Sequence, residues 1–148
     1  MRLASEPGGR SKFNVIMVPV DLTHTDSLTK SIKVACDVAK IYSASLYFVS
    51  VTGTGPSSVA RNPEEFAGNL QSFASEWARK SGIQIKTKSI VSNDVAAELD
   101  SSLRQAAEAL DADLVIAGSH VPGFADHLVR SHGGAIATFA KVSVMVIR

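Results

Sequence analysis

Apolar and polar positions along the chain follow two rhythms, and the switches between them divide it into short elements. Phe13 to Val20 (FNVIMVPV) is a nearly continuous apolar run, rich in β-branched and aromatic residues, which predicts a strand buried on both faces. Asp21 ends that run, and in the short polar loop that follows Thr23 and Thr25 are candidate helix caps. Leu28, Ile32, Ala35, Ala39 and Tyr42 then recur at helical spacing. A second apolar run, Leu46 to Val51 (LYFVSV), stops at the Gly53-Thr54-Gly55-Pro56 breaker. Beyond a loop rich in turn formers, Phe66, Leu70, Phe73 and Trp77 mark one face of a helix that starts at Glu64. Gly82 is its expected C-cap residue.

The next segment, Ile83 to Val91 (IQIKTKSIV), alternates apolar and polar residues, as a strand with one exposed face does at a sheet edge. Leu99, Leu103, Ala107 and Leu110 define a third helix, and Asp113 to Ala117 (DLVIA) is a short buried strand ending in Gly118. A loop over 118–134, a short helix from Ala135 to Lys141 and a closing strand, Val142 to Ile147, complete the pattern. Alternation of this kind calls for right-handed crossovers and a parallel sheet with helices on both faces. The expectation is a single doubly wound α/β domain over 13–148, behind a polar, Gly-rich tail over 1–12.

Composition changes this picture little. The 148 residues are 45% hydrophobic and 20% charged, which is ordinary globular usage. With 15 basic and 14 acidic residues the net charge is +1, so nucleic acid is not an expected partner. No apolar stretch approaches the roughly 18 residues that span a bilayer, and the N-terminus lacks the apolar middle of a signal peptide. A cytoplasmic location without membrane contact is the expectation. The single cysteine, Cys36, forms no internal disulfide and reads as a buried structural thiol.

Open α/β sheets bind ligands beyond the carboxyl ends of their strands, where strand order reverses. Three strand ends carry suitable chemistry. The first ends in Val20-Asp21, with a carboxylate able to accept from a ribose hydroxyl or an amine. The second ends in Ser50-Val51. The fourth ends in Gly118-Ser119-His120 and leads to Ser131-His132-Gly133-Gly134 at the start of the last helix. Glycine lets a backbone approach a ligand, and free N–H groups at a helix start attract phosphate, whose charge Arg130 and the histidines would offset. Each residue also has a plainer reading: Asp21 as a cap of the first helix, Gly118 in a tight turn, Ser131 as an N-cap.

The order of elements, the VPVD segment at 18–21 and the stretch from Gly118 to Arg148 together resemble the universal stress protein family. The resemblance covers the chain after its tail. It implies a five-stranded parallel sheet of order 3-2-1-4-5 and a homodimer, with the edge of the Val142–Ile147 strand as the pairing surface. Nucleotide-binding members carry G-x2-G-x9-G-(S/T) after the fourth strand. There the strand-1 Asp and a Val ending strand 2 contact adenosine, and the glycines and Ser/Thr hold ribose and phosphates. Asp21, Val51 and Gly118 match that pattern. Val121 replaces the second glycine, with Pro122-Gly123 beside it, and Arg130 replaces the third, just before Ser131; the run is similar to a G-S-H-x-P variant of some bacterial members. Arg130 either blocks phosphate approach or contacts the phosphates itself.

The implied function is a stress-response regulator or sensor that binds ATP or a related adenine nucleotide, with or without Mg. Val20, Asp21 and Val51 would hold adenosine; Gly118, Ser119, His120, Arg130, Ser131, His132 and Gly133 would hold ribose and phosphates. The alternative is a nucleotide-independent homodimeric module with a degenerate site and an unidentified protein partner. No G-x-G-x-x-G follows the first strand and no P-loop exists, so neither a classical dinucleotide site nor a P-loop site is expected; G-x-S-x-G is absent, so a dedicated hydrolase is not expected either, and the family resemblance allows at most slow, incidental nucleotide hydrolysis. His120, His127 and His132 lack the spacing of a zinc site, and no structural metal is expected.

Overall fold

A strand whose neighbours both run parallel to it lies inside a sheet and has to be apolar on both faces. The computed structural model, which describes residues 12–118 and 142–148, puts the first strand in that position. The elements are β1 (Val15–Pro19), α1 (Thr29–Tyr42), β2 (Ser45–Thr52), α2 (Pro63–Ser81), β3 (Ile85–Val91), α3 (Val95–Leu110), β4 (Leu114–Gly118) and β5 (Ser143–Ile147). All neighbouring strands are parallel, and the sheet order is β3-β2-β1-β4-β5. The five-stranded, doubly wound arrangement expected from the chain is the one found. The short helix expected over Ala135–Lys141 lies outside the described residues.

Burial follows the apolar runs. Ile16, Met17, Val18, Phe48, Val49, Leu114, Val115 and Ile116 form the sheet's share of the core, against Leu28, Ile32 and Ala35 on one side and Leu103, Ala106 and Ala107 of α3. Cys36 is buried, and burial pushes its thiol above the ordinary range, as suits a structural role. Among the described residues no helix is long and apolar enough to cross a membrane.

Helix ends are set by local chemistry. The Asn62 side chain accepts from the Glu65 N–H at 2.8 Å, Pro63 occupies the first turn, and Gly82 closes α2 at φ 77°, the left-handed conformation glycine tolerates best. Asp94 caps α3 by accepting from the Ala97 N–H at 3.2 Å, while Glu98 reaches back to the Asp94 N–H at 3.2 Å. Thr23 and Thr25, expected as caps, cap nothing. A one-turn 3-10 helix, Thr25–Leu28, precedes α1, and neither start has a side-chain cap bond. The Thr23 hydroxyl is drawn instead to Asp21.

Candidate functional site

The site begins where β1 loses its partners. The Val15 carbonyl accepts from the Asp113 N–H at 3.0 Å, and the Val20 N–H donates to the Val49 carbonyl at 2.8 Å. Successive residues of a strand turn their main-chain groups to opposite sides, so odd positions of β1 face β4 and even positions face β2. Pro19 therefore falls on the β4 side, where it has no N–H to donate. Pairing of β1 with β4 is confined to Ile16↔Leu114 and Met17↔Val115, and the two strands part beyond it. Strand order reverses at this parting, the place where open parallel sheets form a ligand crevice.

On the other side, the buried Ser50 hydroxyl donates to the Val20 carbonyl at 2.5 Å. That carbonyl is the acceptor the next ladder bond, from the Val51 N–H, would have used. The Thr52 carbonyl accepts from the Ser92 N–H at 2.8 Å, so Thr52 faces β3 and Val51 faces the β1 side. Among the described residues, no partner meets the Val51 N–H or C=O there. A main-chain donor and acceptor thus stand side by side where β1 has ended.

A cleft of about 270 Å³ opens at this point. Val20, Asp21 and Thr23 line it from the end of β1, Ser50 to Gly53 from β2, Val59 and Phe66 from the loop and start of α2, and Val95 and Leu99 from α3. Its walls are largely apolar. Asp21 is the one ionisable residue among the described residues lining it.

The Asp21 carboxylate is held by a tight turn. Its Oδ1 accepts from the Thr23 N–H at 2.9 Å and the Thr23 hydroxyl at 2.5 Å, and its Oδ2 lies 3.0 Å from His24 Nδ1. Partial burial pushes the carboxyl upward, but the bonds from Thr23 and His24 outweigh it, and the group sits below the ordinary carboxylate range. Asp21 therefore caps its own turn and not α1. It presents an ionised, acceptor-only group to the cleft.

The structure thus brings Val20, Asp21 and Val51 together. Gly118 lies across the parting at the end of β4, paired with Ile147 in extended strand, so it makes no tight turn. Its small size serves close packing: a Cβ there would lie 3.3 Å from Ser31 Oγ and 3.7 Å from Leu28 Cδ2. Gly118→Val is expected to cost about 1–3 kcal/mol through overpacking against α1, read from the urea midpoint; an unchanged midpoint contradicts the contact. Ser119, His120, Arg130, Ser131, His132 and Gly133, and also His127, lie outside the described residues. Neither Pro19 nor His24 stood out in the sequence reading. A proline inside an otherwise strand-like run signals the first; nothing beyond proximity to Asp21 signals the second.

Two larger depressions carry less chemistry. One of about 610 Å³ runs along α2, lined among the described residues by Gly68, Gln71, Ser72, Ser75, Glu76 and Arg79. The other, about 500 Å³, separates α1 from α2; Lys33, Lys40 and Lys80 line it with Asp37, and Lys80 pairs with Glu76 at 3.1 Å. Among the described residues no group of three or more His, Cys, Asp or Glu is placed to hold a metal ion.

Comparison with known proteins gives this geometry a context. The model of the universal stress protein family matches residues 12–148. No curated protein matches the sequence. Among solved structures, a universal stress protein in complex with cAMP is 19% identical, with a TM-score of 0.64 over 93% of this chain and 98% of that one. A universal stress protein of Archaeoglobus fulgidus in complex with dAMP is 20% identical, with a TM-score of 0.61 over 91% of this chain and 98% of that one. An Arabidopsis thaliana member with AMP bound is 13% identical, with a TM-score of 0.51 over 90% of each chain.

Proposed function

This chain belongs to the universal stress protein family, and on that premise we propose that it binds an adenine nucleotide in the cleft at the ends of β1 and β2. The observation that carries the reading is the main-chain pair at Val51. Adenine presents a ring nitrogen that accepts beside an amine that donates, which complements an N–H and a C=O standing side by side. Apolar walls such as Val20, Phe66, Val95 and Leu99 suit the faces of a flat base. Asp21 takes a further donor of the adenosine, an amine or a ribose hydroxyl. AMP, dAMP and cAMP in the related structures are the same chemical class.

The ribose and phosphates would be held by Gly118, Ser119, His120, Arg130, Ser131, His132 and Gly133, with any Mg bound beside them. Of the hydroxyls lining the cleft, that of Ser50 donates to the Val20 carbonyl and that of Thr23 to the Asp21 carboxylate. The role is binding, with at most slow hydrolysis, in a stress-response sensor or regulator. Self-association through β5 belongs to the same proposal. The strand is a sheet edge with Val144 39% exposed. The second reading, a homodimeric module indifferent to nucleotide, keeps that edge and draws its support from Val121 and Arg130, which stand where the nucleotide motif has glycines.

Calorimetric titration with AMP and IMP separates the two. Hypoxanthine reverses the donor and acceptor that Val51 would meet, so AMP is expected to bind at least about tenfold more tightly than IMP. Equal affinity would overturn the Val51 assignment, and no heat from either would favour the nucleotide-indifferent module.

A further inference from the structure

We propose that His24 is a positioning residue: its ring Nδ1, with the Thr23 hydroxyl, holds the Asp21 carboxylate turned and ionised at the wall of the cleft. Proton accounting carries the assignment. An ionised carboxylate only accepts, and the single proton of the Thr23 hydroxyl is donated to Asp21 Oδ1. Nδ1 lies 2.8 Å from that hydroxyl oxygen and 3.0 Å from Asp21 Oδ2. It therefore carries a proton, shared between the two oxygens, and a neutral ring suffices for this.

The main chain that carries the imidazole is fixed within the same turn. The His24 N–H donates to the Asp21 carbonyl at 3.1 Å, and the His24 carbonyl accepts from the Ser27 hydroxyl at 2.8 Å. His24 does not line the cleft, and its side chain is 50% exposed. It acts on a ligand only through Asp21. With Oδ1 occupied by Thr23 and Oδ2 engaged by His24, the carboxylate cannot rotate toward water without losing three donors. Of the roughly four acceptor sites of a carboxylate, one on Oδ2 is left for the cleft. The consequence for affinity rests on the adenine-nucleotide reading of that cleft; the positioning contact itself does not.

The test compares His24→Ala with His24→Asn, whose amide can supply the same N–H. In protein without nucleotide, carbon-detected NMR follows titration of the Asp21 carboxyl. Its midpoint is expected to rise in His24→Ala and to return toward the parent value in His24→Asn, a rescue that a merely structural role would not produce. AMP affinity is expected to fall about threefold to tenfold in His24→Ala and to recover in His24→Asn. An unchanged midpoint in His24→Ala, or no rescue by His24→Asn, overturns the proposal. If the midpoint moves but the parent protein binds no AMP, the positioning contact stands and the nucleotide reading fails.

Discussion

Replacing Asp21 with alanine is expected to weaken AMP binding about tenfold to a hundredfold, the loss typical of a hydrogen bond to a charged group. Asp21 is the one ionisable residue among the described residues lining the cleft, so among them no neighbouring charge substitutes for it. The apolar walls keep water from replacing it cheaply, which makes the lost acceptor costly to the ligand's donor. Folding should change far less. The groups that Asp21 holds, Thr23 and His24, are exposed and find water when released. Asp21→Asn retains one acceptor oxygen and should fall between the two. Calorimetric titration reads all three proteins, and an alanine variant with parental affinity would remove Asp21 from the site.

The largest effect on stability is expected from Phe48→Ala. Phe48 lies in β2, between β1 and β3, and is 0% exposed. Its ring centroid is 5.8 Å from that of Phe73 on α2 at an interplanar angle of 42°, so one side chain fastens the helix to the sheet. Deleting it removes the transfer energy of the ring and leaves a cavity that rigid strands on both sides cannot close. A cost of about 3–5 kcal/mol follows, a large part of the roughly 5–15 kcal/mol that holds a domain together. Urea unfolding should show a much lower midpoint at unchanged slope. A loss below about 1 kcal/mol would mean that the core closes around the gap.

The fold was legible wherever burial on both faces writes itself as an unbroken apolar run. FNVIMVPV, LYFVSV and DLVIA all became inner strands, and the alternating IQIKTKSIV became an edge. Boundaries were less legible because side chains decide them. β1 starts at Val15, not Phe13, because the Asp113 carboxylate takes the N–H groups of Asn14, at 2.9 Å and 3.1 Å to its two oxygens, and of Val15, at 3.1 Å. β3 starts at Ile85 because the chain first leaves the Gly82 cap, with the Ile83 N–H on the Ser81 hydroxyl at 3.4 Å. Apolar spacing marked α3 from Leu99, but Asp94 opens it at Val95.

The site was legible in residue type and not in mechanism. A carboxylate after an apolar strand stands out in any reading, and Asp21 did. Val51 is different, since its value lies in a main chain that has no partner on the β1 side among the described residues, where β1 has ended and the Ser50 hydroxyl takes the Val20 carbonyl. Such a feature depends on strand parity, which residue types alone do not display. His24 is hidden for a related reason. Only the folded turn brings its ring within 3.0 Å of the Asp21 carboxylate.

The most direct measurement of the central claim is a titration of AMP into 15N-labelled protein, followed amide by amide. Binding in the cleft predicts that the Val51 amide resonance moves most, with Asp21 and Gly53 beside it, and that exchange of the Val51 amide slows as it gains an acceptor. Shifts confined to the groove between α1 and α2, or none at saturating AMP, would contradict it.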